Sequence, residues 1–235
     1  GRVVVADTDE QQLEKTKVAD AVYSKLLHMC DCESLDLLIL ATPNHSHEPL
    51  GLVVLGLGLR AIIEKPFASS PEGVQRLFSE AQRNGCYVTS GHLLRHHAGI
   101  QAIENLVRNN VLGATTHIEY TRQTMRPKPE GITILEGLAS HGLNTLDFML
   151  NDSQELHLLS VDYHLPDGTS TELNLATGAV IRYAMAEGAK AEEYARVNVS
   201  WSAEKEIREL AVQGEIGGAT IDFGQHQIFI LNGES

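Results

Sequence analysis

A lysine set between a glutamate and a proline, Glu64-Lys65-Pro66, directly follows the apolar run Ala61-Ile62-Ile63. Such a run reads as a buried strand, so the ammonium is held at the strand's carboxyl end, with Pro66 fixing the turn. A lysine so placed can donate to the oxygen of an alcohol or carbonyl and stabilise negative charge developing there. The competing reading is a solvated loop lysine. His141 and Asn144 stand three apart and so share one face of a helix, while Ala139, Leu143, Leu146 and Leu150 form a separate apolar stripe. A histidine, with an ordinary pKa of about 6.5, can take the proton that leaves an alcohol. The competing reading is a helix-surface histidine.

Asp7 closes the β-branched run Arg2 to Ala6. At a strand end a carboxylate can accept hydrogen bonds from an adenosine ribose and repel a 2′-phosphate, which favours NAD over NADP; capping the following helix is the equal alternative. Gly56-Leu57-Gly58 follows a helix and leads into a strand, the reverse of a phosphate-binding order, and reads as a helix stop. His92, Arg95, His96 and His97 follow another strand end and could meet a substrate. Their spacing, with no carboxylate nearby, is not a metal set, and neither is the lone Cys30-Asp31-Cys32. His45 and His47 sit beside the Thr42-Pro43-Asn44 loop and read as helix-start residues near a cofactor. The run Arg122 to Lys128 reads as a solvated loop, able to close over a substrate.

The elements that position these groups alternate in the first ninety-odd residues. Strands are expected at Arg2–Ala6, Leu37–Ala41, Ala61–Ile63 and Cys86–Thr89. Helices are expected from Asp9 to about Val18, from Ser46 as cap through the glycines at 56 and 58, and from Ser70-Pro71 to Asn84-Gly85. In the last of these, Val74, Leu77, Phe78 and Ala81 form the apolar face. Strands that are apolar throughout predict a parallel sheet covered on both faces, with ligands outside the carboxyl ends. Asp7, Thr42-Pro43-Asn44, Glu64-Lys65-Pro66 and Ser90-Gly91-His92 then converge on one crevice. Beyond a boundary near residues 91–95 the pattern changes. A helix at Ile100–Asn109, a turn at Leu112-Gly113, a strand at Thr115–Arg122 and a helix at Gly137–Leu150 come first. Strands follow at Leu156–Tyr163, Val180–Met185, Tyr194–Trp201, Ile207–Val212 and Thr220–Phe223, with a turn at Pro166-Asp167-Gly168. Strands joined by turns predict a mainly antiparallel sheet. The fold class is therefore α/β plus α+β, with domains at residues 1–92 and 93–235.

The 235 residues are 43% hydrophobic and 21% charged, ordinary for a globular protein whose core needs no staples. A formal net charge of -13 leaves no basic patch for nucleic acid. No apolar run is long enough for a bilayer, and GRVVVADTDE does not have the form of a signal peptide. Three cysteines make no disulfide framework and read as reduced thiols of a cytoplasmic protein.

The stretches VVVADTD, DLLILATPNHSHEP, IIEKPFASS, the arginine at 95, VLGATTHIEY, SHGLNTLDFML and AVQGEIGGATIDF occur in an order that resembles the glucose–fructose oxidoreductase / inositol dehydrogenase / rhizopine-catabolism (Gfo/Idh/MocA) family. The likeness runs over nearly the whole chain, and EKP placed after a TPN loop is its most specific part. It implies a Rossmann domain and then an open-faced sheet domain that packs on another subunit, as a homodimer or homotetramer. It implies Lys65 and His141 as catalytic residues and Asp7, Thr42, Pro43, Asn44, His47, Glu64 and Lys65 as cofactor-lining. His92, Arg95 and Asn144 are then substrate contacts, Asn144 standing where an aspartate is common. The implied reaction is hydride transfer between NAD and a hydroxyl carbon of a sugar, polyol or cyclitol; a non-catalytic ligand-sensing or structural member is the alternative. Two departures stand out. Gly137 occupies the place of an aspartate four residues before the histidine, and the family's opening strand with its G-x-G-x-x-G turn is not in the chain. The Rossmann domain is thus expected to be incomplete at its N-terminus, as in a piece of a longer product.

Overall fold

Three-residue runs, each with at least one valine, isoleucine or leucine, make the strands of the first unit, because such residues suit a pleated, half-buried surface. The computed structural model describes residues 1–150, 155–166, 172–184, 194–225 and 227–232. They divide into two compact units, Gly1–Gly91 and His92–Ser235. The first runs β1 (Val4–Ala6), α1 (Glu10–Lys15), β2 (Ala21–Tyr23), α2 (Leu26–Cys32), β3 (Leu38–Leu40), α3 (Asn44–Gly56), β4 (Ala61–Ile63), α4 (Pro71–Arg83) and β5 (Val88–Ser90).

All pairings here are parallel, as expected, but the strands form two sheets: β1–β2 on one side and β3–β4–β5 on the other. The expectation of a single sheet covered on both faces is therefore corrected. Alternation along a strand sends neighbouring side chains to opposite faces. Leu38 and Leu40 join Met29, Val54, Leu55, Ile63 and Leu77 in the core, while Ile39 between them is 62% exposed. The pair β2–α2 was not foreseen.

The caps explain the helix boundaries. Asp9 accepts from the Gln11 N–H at 2.9 Å and starts α1, which is shorter than the sequence suggests. The Ser70 hydroxyl accepts from the Gly73 N–H at 3.1 Å, and Pro71 follows at the first position of α4. At the other end Gly85 takes φ +62°, a left-handed stop that glycine adopts without strain. In α3 the cap is Pro43, not Ser46. Ser46 lies inside the first turn and donates to the Pro43 carbonyl at 2.7 Å.

The second unit contains α5 (Ala98–Arg108), β6 (Thr115–Gln123), a π-turn at Leu135–Ala139 that runs into α6 (Ser140–Leu150), and six further strands: β7 (His157–His164), β8 (Gly178–Ala184), β9 (Ala195–Ser200), β10 (Ile207–Gly214), β11 (Gly217–Asp222) and β12 (Gln227–Asn232). They form one sheet in the order β12-β11-β10-β6-β9-β8-β7. Every pairing is antiparallel except β6–β9. The expected mainly antiparallel sheet is what forms, with β12 added. The turn foreseen at Pro166-Asp167-Gly168 and the strand end at Met185 lie partly or wholly outside the described residues. Helix α6 buries Leu146, Met149 and Leu150 with Ile118, Tyr120 and Val197 of the sheet. A Cβ on Gly142 would stand 2.6 Å from Tyr120 and 2.7 Å from Val197, so glycine lets the helix lie close on the strands.

Candidate functional site

In the first unit the candidate residues gather at the carboxyl ends of β3 and β4, which are neighbours in one sheet. Thr42, Pro43 and Asn44 leave β3 and open α3; the Thr42 hydroxyl donates to Ser46 Oγ, 2.8 Å away, and tightens the turn. Glu64, Lys65 and Pro66 leave β4, half-buried, and the Lys65–Pro66 peptide is cis. The Lys65 N–H donates to the Glu64 carboxylate at 3.2 Å. Gly91, beyond β5, lies against that carboxylate: a Cβ there would stand 2.9 Å from Glu64 Oε1. Ser90 Oγ is buried with no hydrogen-bond partner among the described residues.

His47, expected as a helix-start residue near a cofactor, lies in the first turn of α3. It is fully buried, with Nδ1 2.7 Å from the Pro66 carbonyl and Nε2 2.7 Å from the Thr42 carbonyl. The ring is therefore not among the exposed groups of the turn; it stands behind the two loops and joins them.

Asp7 follows β1, on the other sheet of the unit. It is exposed, and its Oδ1 accepts from the Asp9 N–H at 2.9 Å. Asp9, not Asp7, caps α1; the Asp7 carboxylate closes a turn onto Asp9 and stays exposed. The four strand ends expected in one crevice are carried by two separate ladders. Two features fit a dinucleotide: the exposed Asp7 carboxylate and the unpartnered hydroxyl of Ser90.

In the second unit, His141 and Asn144 lie on α6, both half-buried on the side away from the apolar stripe. Asn144 is engaged: Arg95 Nε donates to its Oδ1 at 2.9 Å. Arg95 also pairs with Asp147, and its guanidinium lies over the Phe148 ring at 5.5 Å. The two expected substrate contacts are thus partners of each other, a link across 49 residues that spacing could not reveal. His97 caps α5, accepting from the Gly99 N–H at 3.1 Å, and meets Phe223 edge-on at 5.1 Å. His92 begins this unit, ahead of the 3-10 turn Leu93–His96 that carries Arg95. No cluster able to hold a metal ion occurs among the described residues.

Gly137 has a steric explanation. It sits in the π-turn before His141, where a Cβ would stand 2.5 Å and 2.6 Å from Cζ2 and Cη2 of Trp201. The indole fills the space that a side chain at 137 would need. The loop after β6, expected to be solvated, is exposed at Met125, Arg126 and Pro127 but anchored where it begins. Glu206 accepts from the Thr124 hydroxyl at 2.6 Å, the Met125 N–H at 2.9 Å and Arg122 at 2.8 Å. These donors pull its carboxyl down to about 2, the Thr124 bond foremost.

Residues 2–92 match the model of an oxidoreductase family with an NAD-binding Rossmann fold, Gfo/Idh/MocA. The chain is 27% identical over 128 residues to UDP-N-acetylglucosamine 3-dehydrogenase of Acidithiobacillus ferrooxidans, which is 54% of this chain and 39% of that protein. It is 23% identical over 156 residues to inositol 2-dehydrogenase of Streptomyces avermitilis, 63% of this chain and 45% of that one. The chain thus spans less than half the length of these curated relatives. Among solved structures, the WlbA dehydrogenase of Bordetella pertussis, in complex with NADH and UDP-GlcNAcA, superposes with a TM-score of 0.80 at 17% identity. That match covers 99% of this chain and 70% of WlbA, and bears out the two-part fold. No helix among the described residues is long and apolar enough to cross a membrane.

Proposed function

We propose that this chain serves an NAD-dependent oxidoreductase that oxidises a hydroxyl carbon of a sugar, polyol or cyclitol. The observation that carries the reading is Lys65, held at the end of a buried parallel strand beside the Thr42–Asn44 turn of a Rossmann fold. Relatives named for dehydrogenation of a sugar nucleotide and of inositol support the substrate class.

Asp7 would hold the adenosine ribose by accepting from its hydroxyls, and its charge would repel a 2′-phosphate. Thr42, Pro43, Asn44, Glu64 and Lys65 would line the remainder of the cofactor site. NAD, when bound, supplies the acceptor for the hydride. The Lys65 ammonium donates to the substrate oxygen and holds the charge that grows there. His141 takes the hydroxyl proton, so the alcohol leaves as a carbonyl compound. Arg95 and Asn144, already joined, present a fixed polar pair for further hydroxyls of the substrate. A second copy, packed through the open sheet as a homodimer or homotetramer, belongs to the same proposal.

The test begins with calorimetric titration of the chain by NADH and NADPH. NADH is expected to bind in preference, and Asp7→Ala to narrow the gap between the two. A screen of sugars, polyols and cyclitols then supplies a substrate, with which Lys65→Ala is expected to turn over at least ~100-fold more slowly. Unchanged turnover in Lys65→Ala would overturn the reading.

A further inference from the structure

We propose that His47 is a positioning residue that works as an imidazolium, bridging the Thr42 and Pro66 carbonyls and so fixing where Lys65 stands. The inference rests on the cofactor reading above for its consequence, but not for its geometry.

Two carbonyl oxygens lie 2.7 Å from the two ring nitrogens of a side chain with no exposed surface. A carbonyl oxygen can only accept, and a neutral imidazole has one N–H and one lone pair. A neutral ring would therefore aim a lone pair at an oxygen in a place water does not reach, with the cost of a buried bond left unmade. The imidazolium donates at both ends, and 2.7 Å is a usual length for a bond assisted by charge. A buried cation needs compensating partners; here two carbonyl dipoles face it from opposite sides.

The bridge has a particular location. The ladder between β3 and β4 reaches the bond from the Glu64 N–H to the Leu40 carbonyl, 2.9 Å. His47 continues the tie beyond it, from the first residue after Ala41 to the residue after Lys65. The charged or titratable groups on the segments packed here are His45 and Glu48 on α3, Glu64 and Lys65 on the loop, and Glu72, Arg76, Glu80 and Arg83 on α4. Glu48 pairs with Arg76 and Glu80 with Arg83. Glu64 accepts from the Lys65 N–H.

Nitrogen-15 spectra of the imidazole rings in the labelled chain, with His47 assigned through its own side-chain couplings, decide the bridge without a variant. Both ring nitrogens are expected to carry protons at neutral pH. The amides of Lys65 and Phe67 are expected to shift when the pH is raised far enough to remove the second proton. A singly protonated ring at neutral pH, or amides indifferent to that titration, would overturn the proposal. NADH titrations across the same pH range give the consequence. Affinity is expected to fall as the proton leaves; His47→Gln should bind about tenfold more weakly at neutral pH and lose the pH dependence. A pH dependence identical in His47→Gln and the parent also overturns it. If the parent does not bind NADH, the cofactor reading fails, while the ring spectra still decide the bridge.

Discussion

Replacing Gly137 by alanine tests whether Trp201 is what keeps a side chain out of the turn before His141. The added Cβ would stand 2.5 Å and 2.6 Å from Cζ2 and Cη2 of an indole that is itself only 5% exposed. Forcing one extra carbon into such a packed place costs about 1–3 kcal/mol. Alanine in place of glycine in a helical segment returns about 1 kcal/mol. Gly137→Ala should therefore destabilise the second unit by about 0–2 kcal/mol. Phenylalanine has neither of the two atoms in the way. In a Trp201→Phe background the same substitution should be stabilising by up to about 1 kcal/mol, a coupling of about 1–3 kcal/mol. Urea unfolding of the four proteins, followed by far-UV circular dichroism, measures the cycle. A Gly137→Ala effect equal in both backgrounds, within about 0.5 kcal/mol, would refute the steric account.

Glu206 titrates at about 2 in the folded chain because Thr124, Arg122 and the Met125 N–H bind its carboxylate. A carboxyl depressed in the folded state stabilises above its unfolded pKa, and that contribution is lost as pH falls through the folded value. Urea midpoints of the parent should thus decline as the pH falls from 4.5 to about 2, and Glu206→Gln should decline less over that range. An identical acid limb would contradict the assignment. Ser70→Ala removes the acceptor for the Gly73 N–H and should cost about 1 kcal/mol in the same assay; Ser70→Asp should keep most of the stability.

Much of the architecture was legible because strong local signals agree with it. Apolar triplets mark β3 and β4, Ser70-Pro71 opens α4, and Asn84-Gly85 closes it. What escaped lacked such signals. Strand β2 shows only a half-buried, exposed, half-buried pattern over three residues, and the N-cap position of α2, Lys25, makes no side-chain capping bond. Strand β12 is exposed along Ile228, Phe229, Ile230 and Leu231, so burial gave it no period. The π-turn at Leu135–Ala139 breaks the helical repeat that the reading relied on. The strand ends that carry the candidate residues were legible; the side-chain partners were not. Lys65 and the TPN turn were singled out correctly as neighbours at strand ends. The Arg95–Asn144 pair and the burial of His47 are products of tertiary packing, which no spacing along the chain encodes.

The division of the first unit's strands into two sheets bears on how its parts open. Backbone ladders hold β3, β4 and β5 together, and a separate one holds β1 to β2. Between them lies side-chain packing, with Val4, Ala6 and Tyr23 resting against the buried cluster. Amide exchange in such a unit is expected to proceed through two opening reactions instead of one. The strand that ends in Asp7 can lose and regain protection while the strands that end in the TPN and EKP turns stay closed. A ligand that touches both would stitch the two reactions into one, and the merging of their exchange rates would report its arrival.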